Sequence, residues 1–119
     1  YDSVSFLGVQ KDTSIWYQAM DVFLMPSLFE GLPVVGIEAQ ASGLPCVFSD
    51  TITDEIILSD RAVRLSLEQS DEVWAKELIR LGTADRERAE GRSVVRSAGY
   101  DIVEETKRLQ EIYVSLIEK

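Results

Sequence analysis

Apolar positions gather into short runs, each stopped by glycine, proline or a charged cluster, and between the runs they recur at helical spacing. The run "VSFLG" at residues 4–8 ends on glycine and predicts a buried strand. In "DTSIWYQAM" either Asp12 or Thr13 offers an N-cap, and Ile15 and Ala19 share one helical face. "DVFLMP" at residues 21–26 predicts a second strand, ended by proline. "PVVGIEAQASG" predicts a helix with Pro33 in its first turn, where a missing N–H is harmless, and Gly43 as its stop. "PCVFSD" (residues 45–50) and "AVRLSL" (residues 62–67) predict two more strands, with one or two helical turns at "TDEIILS" between them.

The remainder reads as helix. Ser70 or Asp71 caps "DEVWAKELIRLG", where Trp74, Leu78 and Leu81 line one side. The charged segment at residues 85–96 predicts a surface helix. Ile102, Thr106, Leu109, Tyr113 and Leu116 then recur at steps of three and four, an amphipathic helix of about four turns. Apolar strands alternating with helices give an α/β fold, a parallel sheet of about four strands flanked by helices with a C-terminal helical tail. No internal repeat, low-complexity tract or linker divides residues 1–119, which predicts a single unit.

Composition narrows the functions. The formal net charge of −9 argues against a nucleic-acid partner or an anionic membrane surface, both of which need clustered Lys and Arg. It leaves room for one anionic small molecule, because helix N-terminal amides bind anions without side-chain charge. The chain has no histidine, which removes a Ser-His-Asp triad, a histidine base and a histidine-rich metal site. Its one cysteine, Cys46, sits in an apolar run and fits a reducing compartment. No run approaches the ~18 residues of a membrane span. The chain starts at Tyr1 without methionine and passes almost at once into an apolar run, which reads as a piece of a longer polypeptide.

The connection after the second predicted strand carries the chemistry. "MPSLFEGLPVVGIEAQASGLP" sets Glu30 and Glu38 eight positions apart around Gly31, Pro33 and Gly36. In open α/β sheets ligands sit beyond the C-terminal strand ends, which is where this loop lies. A helix starting near Val34 aims its free amides and positive dipole end into the loop, an arrangement suited to phosphate or diphosphate. Glu38, one turn later on the same side, leans towards the helix N-terminus and can accept two hydrogen bonds from the vicinal diol of a ribose. Glu30, in the loop, can accept from hydroxyls of a second sugar. Spacing alone leaves a blander account open, since glutamates in first helical turns commonly serve as capping and dipole residues. It also leaves open an acid/base pair.

The stretch "FLMPSLFEGLPVVGIEAQASGLPCVFSD" resembles the signature of retaining glycosyltransferases of the GT-B fold, in the large family-4 (group 1) type. That signature has a Glu-x7-Glu spacing, here Glu30 to Glu38, between a "PS" strand end and a "G-x-P-V" start. "VSFLG...YQAMDVFLMPS" is similar to the family's run-up, and "AGYDIVEETKRLQEIYVSL" to its closing helix. The resemblance implies a partial Rossmann-like domain, the C-terminal donor-binding domain of an enzyme whose N-terminal acceptor domain is absent from residues 1–119. Glu38 would hold the donor ribose. Glu30, the implied catalytic carboxylate, would contact the transferred sugar. Backbone amides at Gly31, Leu32, Val34 and Val35 would meet the sugar and diphosphate, with Ser27 beside them.

The implied reaction passes a hexose from a nucleotide diphosphate, with retention, to a polysaccharide or glycolipid. It uses no metal or other cofactor, with leaving-group charge stabilised by amides and basic side chains. The implied setting is cytoplasmic, peripheral to the inner membrane face.

There are departures from the pattern. Gly31-Leu32-Pro33 stands where many members have Gly-Phe-Gly, so one amide is lost at Pro33. Gly36 replaces a larger apolar residue and weakens its helix by about 1 kcal/mol relative to Ala. The family's Arg/Lys pair lies on earlier strands and cannot be assigned; Arg61 and Arg64 are no substitutes. The chain alone is therefore expected to be inactive. In the family's sheet, strands absent from residues 1–119 separate "VSFLG" from "DVFLMP", so exposed edges are expected to re-pair or to form a homodimer. The alternatives are a GT-B nucleotide-sugar epimerase relative and a non-catalytic α/β interaction module. Elsewhere, Cys46 reads as a buried hydrophobe, Trp16, Tyr17 and Trp74 as core, and "DRERAEGR" as a solvated face. Asp54 and Glu55 read as caps of a short helix, or as residues nearing the nucleotide side.

Overall fold

The structure is a computed structural model and describes residues 3–84 and 88–118. One parallel sheet holds β1 (Phe23–Met25), β2 (Cys46–Ser49) and β3 (Ala62–Leu65) in that order. Phe23 lies opposite Cys46, and Cys46 opposite Ala62, so the strands start level. The central strand is buried at every position. A strand covered on both faces needs a continuous apolar run rather than an alternating one, which is what its sequence supplies. Phe48, Leu44, Ile52, Ile56 and Val47 are the largest wholly buried side chains, and all lie on or beside this strand.

Helices flank the sheet. α1 (Ser14–Ala19) leads into β1, and α2 (Val34–Ala41) carries the chain from β1 to β2. Pro33 is the N-cap of α2 rather than its first helical residue, and Gly43, at φ +75°, ends it in the left-handed conformation glycine adopts freely. Gly36 sits against the sheet: a Cβ there would lie 2.8 Å from Phe48 Cε1 and 3.0 Å from Ile56 Cδ1. The weak helix former is thus what lets α2 settle on the buried strand. Gln40, also buried, donates through Nε2 to the Ile56 carbonyl (2.7 Å) and the Gly36 carbonyl (3.1 Å) and accepts from the Leu58 amide (3.0 Å). It ties α2 to the connection between β2 and β3, which contains a 3-10 turn at Asp54–Ile56.

α3 (Asp71–Thr83) starts at Ser70, buries Leu81 and half-buries Trp74 and Leu78. α4 (Gly91–Ser97) packs on α2 with their backbones nearly touching, since a Cβ on Gly91 would lie 2.5 Å from both the Gln40 carbonyl and the Gly43 amide. α5 (Ile102–Ile117) is capped by Asp101, which accepts from the Val103 and Glu104 amides, and it contributes no buried residue. The result is an α/β arrangement, a parallel three-stranded sheet flanked by helices with a C-terminal helix, consistent with a partial Rossmann-like fold.

Three local expectations are corrected. Residues 4–8 form no strand; the segment is exposed, with Phe6 97% accessible. The central strand has both sides occupied by its two neighbours, and a lone strand leaves its backbone groups without a ladder. In α1 the face that packs is Tyr17 with Trp16, and Ile15 and Ala19 stay exposed. Tyr17 sits about half a turn from those two positions and offers far more area to bury, edge-on to Phe23. The charged stretch before α4 is not a purely solvated face. Residues 85–87 lie outside the described residues, but Arg88 is half-buried and donates to the Tyr17, Gln18 and Met20 carbonyls at the end of α1. Those are carbonyls a helix end leaves without partners.

Candidate functional site

The C-terminal strand ends carry the loop at residues 26–33. It is fastened from beneath: Ser49 Oγ and Thr51 Oγ1 both donate to the Ser27 carbonyl, at 2.5 and 2.6 Å. Ser27 Oγ donates in turn to Glu30 Oε1 at 3.3 Å, which holds the half-buried Glu30 in the loop. Gly31 and Leu32 are exposed. Nothing lies within 4 Å of a Cβ built on Gly31, and its φ is not positive, so neither the chain's own packing nor a tight turn demands glycine there. α2 then begins without a side-chain cap. The amides of Val34 and Val35 belong to the first turn, which has no intrahelical acceptors, and the dipole of α2 points the same way.

Glu38 is placed differently. It projects from the middle of α2 towards α1, where Tyr17 Oη donates to its Oε2 at 3.1 Å. The pair lies in a recess of about 420 Å³ between α1, α2 and α4, whose walls include Lys11, Ser14 and Arg92. No residue of the 26–33 loop lines that recess. Ser27 and Glu30 are therefore brought together, while Glu38 serves a neighbouring space. A second recess of about 720 Å³ adjoins it through Ala41 and Arg92, and Arg96, Tyr100 and Asp101 line its far side. Burial raises the Tyr17 phenol above its ordinary range, and the bond to Glu38 raises it further, so the hydroxyl keeps its proton at neutral pH.

The other candidates fall into structural roles. Burial pushes the Cys46 thiol up to about 12, opposed only by the charge of Arg61, which leaves no thiolate at neutral pH. Arg61 donates to the Gly43 carbonyl, and Arg64 to the Asp50 and Ile52 carbonyls, so both brace loops. Trp74 donates to the Ser66 carbonyl and Trp16 to Gln10. Asp54 and Glu55 are exposed on their 3-10 turn, where Thr53 accepts from the Glu55 amide. Among the described residues no three His, Cys, Asp or Glu cluster as metal ligands, and no helix is long and apolar enough to cross a membrane.

Sequence reasoning missed the Tyr17–Glu38 bond, the Ser49–Thr51 clamp and Gln40. Gln40, a polar residue in the run "VVGIEAQA" one turn after Gly36, was the one with a visible signal.

Relatives are extensive. EpsF of Bacillus subtilis (strain 168), a provisionally assigned glycosyltransferase, is 42% identical over 118 residues, 98% of this chain and 31% of that protein. The UDP-Gal:alpha-D-GlcNAc-diphosphoundecaprenol alpha-1,3-galactosyltransferase of Escherichia coli is 28% identical over 115 residues, 93% of this chain and 30% of that protein. The Vi polysaccharide biosynthesis protein VipC/TviE of Salmonella typhi is 44% identical over 46 residues, 39% of this chain and 8% of that protein. The chain thus spans about a third of the length of the first two. No solved structure matches it. A family model described as glycosyl transferases group 1 matches residues 1–83, which takes in all three strands, the fastened loop and both glutamates, and the chain belongs to that family.

Proposed function

We propose that the chain is the donor-binding part of a retaining hexosyltransferase of the GT-B type, working with further polypeptide that binds the acceptor. The observation that carries this is the uncapped start of α2 at the C-terminal end of a parallel sheet, with Glu30 held in the loop before it and Glu38 one turn further along the helix, in the adjoining recess. First-turn amides at Val34 and Val35, with those of Gly31 and Leu32, bind the diphosphate and the sugar. They stabilise charge as it develops on the leaving group. Glu38, in its recess, accepts from the ribose hydroxyl pair. Glu30 acts as the catalytic carboxylate, facing hydroxyls of the transferred sugar, and Ser27 orients it. The open space at Gly31 supports this reading, because a side chain there would occupy the approach to those amides.

The E. coli relative is named for transfer of a hexose from a UDP-sugar to a diphosphoundecaprenol-linked acceptor, and the S. typhi relative for polysaccharide synthesis. By analogy we assign this protein a glycolipid or polysaccharide acceptor, reached at the cytoplasmic membrane face. The mechanism asks nothing of a metal, so transfer is expected to persist in EDTA.

Glu38→Ala and Glu30→Ala in the intact enzyme test the assignment. Each is expected to reduce sugar transfer at least tenfold, with the Glu38 variant losing nucleotide-diphosphate affinity and the Glu30 variant losing kcat. Transfer equal to wild type in both variants would overturn the proposal and leave an α/β interaction module.

A further inference from the structure

A glutamate on an exposed helix face has three rotatable bonds, and a ligand that needs one orientation must select it. In this chain the selection is already made by Tyr17. Tyr17 is only 6% exposed, and its ring meets Phe23 edge-on at a centroid separation of 6.2 Å. Phe23 meets Phe48 of the central strand at the same separation, so the phenol is anchored to the core. Its hydroxyl donates to Glu38 Oε2 at 3.1 Å. One carboxylate oxygen is thereby fixed, and acceptor positions of the other remain free in the recess that Lys11, Ser14 and Arg92 help to line.

We infer that Tyr17 is a positioning residue for Glu38, holding its carboxylate in the orientation that accepts the paired hydroxyls of a ribonucleoside diphosphate. This rests on the assignment of Glu38 to the ribose proposed above. The phenol suits the task because it offers a donor without a charge that would compete for the carboxylate. It is also rigid, so little ordering remains when ligand arrives. A phenol is protonated across the neutral range, and burial raises its pKa further.

The test measures how well the intact enzyme tells hydroxyl pairs apart. Calorimetry gives affinities for UDP, GDP and ADP and for their 2′,3′-dideoxy counterparts, which lack both hydroxyls, in wild type, Tyr17→Phe and Glu38→Ala. Wild type is expected to prefer the ribose form of its best nucleotide. Glu38→Ala should erase the preference. Tyr17→Phe keeps the ring packing, so its melting temperature should stay close to wild type. It should shrink the preference about fivefold, roughly what one ordinary hydrogen bond is worth, and leave affinity for the dideoxy form unchanged. A Glu38→Ala variant that keeps the preference, or a wild type that binds none of the diphosphates, overturns the ribose assignment and this inference with it. If Glu38→Ala erases the preference while Tyr17→Phe retains all of it, the ribose assignment stands and the positioning role falls. A Tyr17→Phe variant that weakens both forms equally would mark Tyr17 as structural and also overturn the role.

Discussion

Gly36 and Gly91 show how a residue without a side chain can decide where helices go. Gly36, inside α2, weakens its helix by about 1 kcal/mol relative to Ala, so Ala would win there on propensity alone, whereas Gly91 opens α4, where that interior penalty does not apply. Each faces an obstacle of a different kind. At Gly36 the obstacle is side-chain carbon of Phe48 and Ile56, 2.8 and 3.0 Å from an added Cβ, which would have to give way by rotation of those side chains. At Gly91 it is the backbone of Gln40, Ala41 and Gly43, which cannot shift without moving α2. Overpacking a core costs typically 1–3 kcal/mol. Gly36→Ala should therefore destabilise by about 1 kcal/mol after the propensity gain. Gly91→Ala should destabilise by about 3 kcal/mol, near the top of that range. Urea midpoints at a common slope check the order, and equal midpoints for the two variants would refute it. Neither contact was legible in the sequence, where a glycine announces only what it lacks and the atoms across from it come from a distant segment. The Tyr17–Glu38 bond, whose partners are 21 positions apart, was hidden for the same reason.

At the scale of elements, local signals carried furthest. The bounds of α2 follow from Pro33 and Gly43, and the cap of α3 from Ser70, because a cap acts on neighbours in sequence. A strand is not local in this sense. The run at residues 4–8 has the composition of a strand, but it pairs with neither outer edge of the sheet, and composition does not say whether a partner is reached. The loop with Glu30 was legible as a strand-to-helix connection, whereas its fastening by Ser49 and Thr51 comes from the next strand. Asp101, the cap of α5, gives a pH prediction. The Glu104 amide lowers its pKa most, desolvation partly opposes this, and Arg96 and the Val103 amide lower it further. A lowered folded value means that the stabilisation is full above the ordinary carboxylate range and fades as pH falls through the lowered value. The helical signal of α5 should therefore hold from pH 7 to about pH 4 and decline below it. Asp101→Asn keeps a cap without the titration, so circular dichroism should show less of the acid loss in that variant. An unchanged acid profile in Asp101→Asn would count against Asp101 as its source.

At the scale of the whole molecule, surface is left over. The radius of gyration is 17.0 Å and the longest dimension 62 Å for 119 residues, where a compact chain of that length would have a radius of about 13.5 Å. α5 buries nothing, and Ile102, Leu109, Tyr113 and Leu116 lie open along it. β1 and β3 each have one ladder partner among the described residues, which leaves an outer edge on both. On the proposal that the chain works with further polypeptide, that polypeptide would cover these surfaces. Isolated, the 119-residue chain is expected to cover them with copies of itself, giving a light-scattering mass above its own 13.4 kDa. The two surfaces can be told apart. Leu109→Glu with Tyr113→Glu should return the mass towards the monomer if the helix stripe drives association, and leave it unchanged if the sheet edges do. A monomeric mass in the unmodified chain, together with a cooperative melt, would mean that neither surface needs a partner.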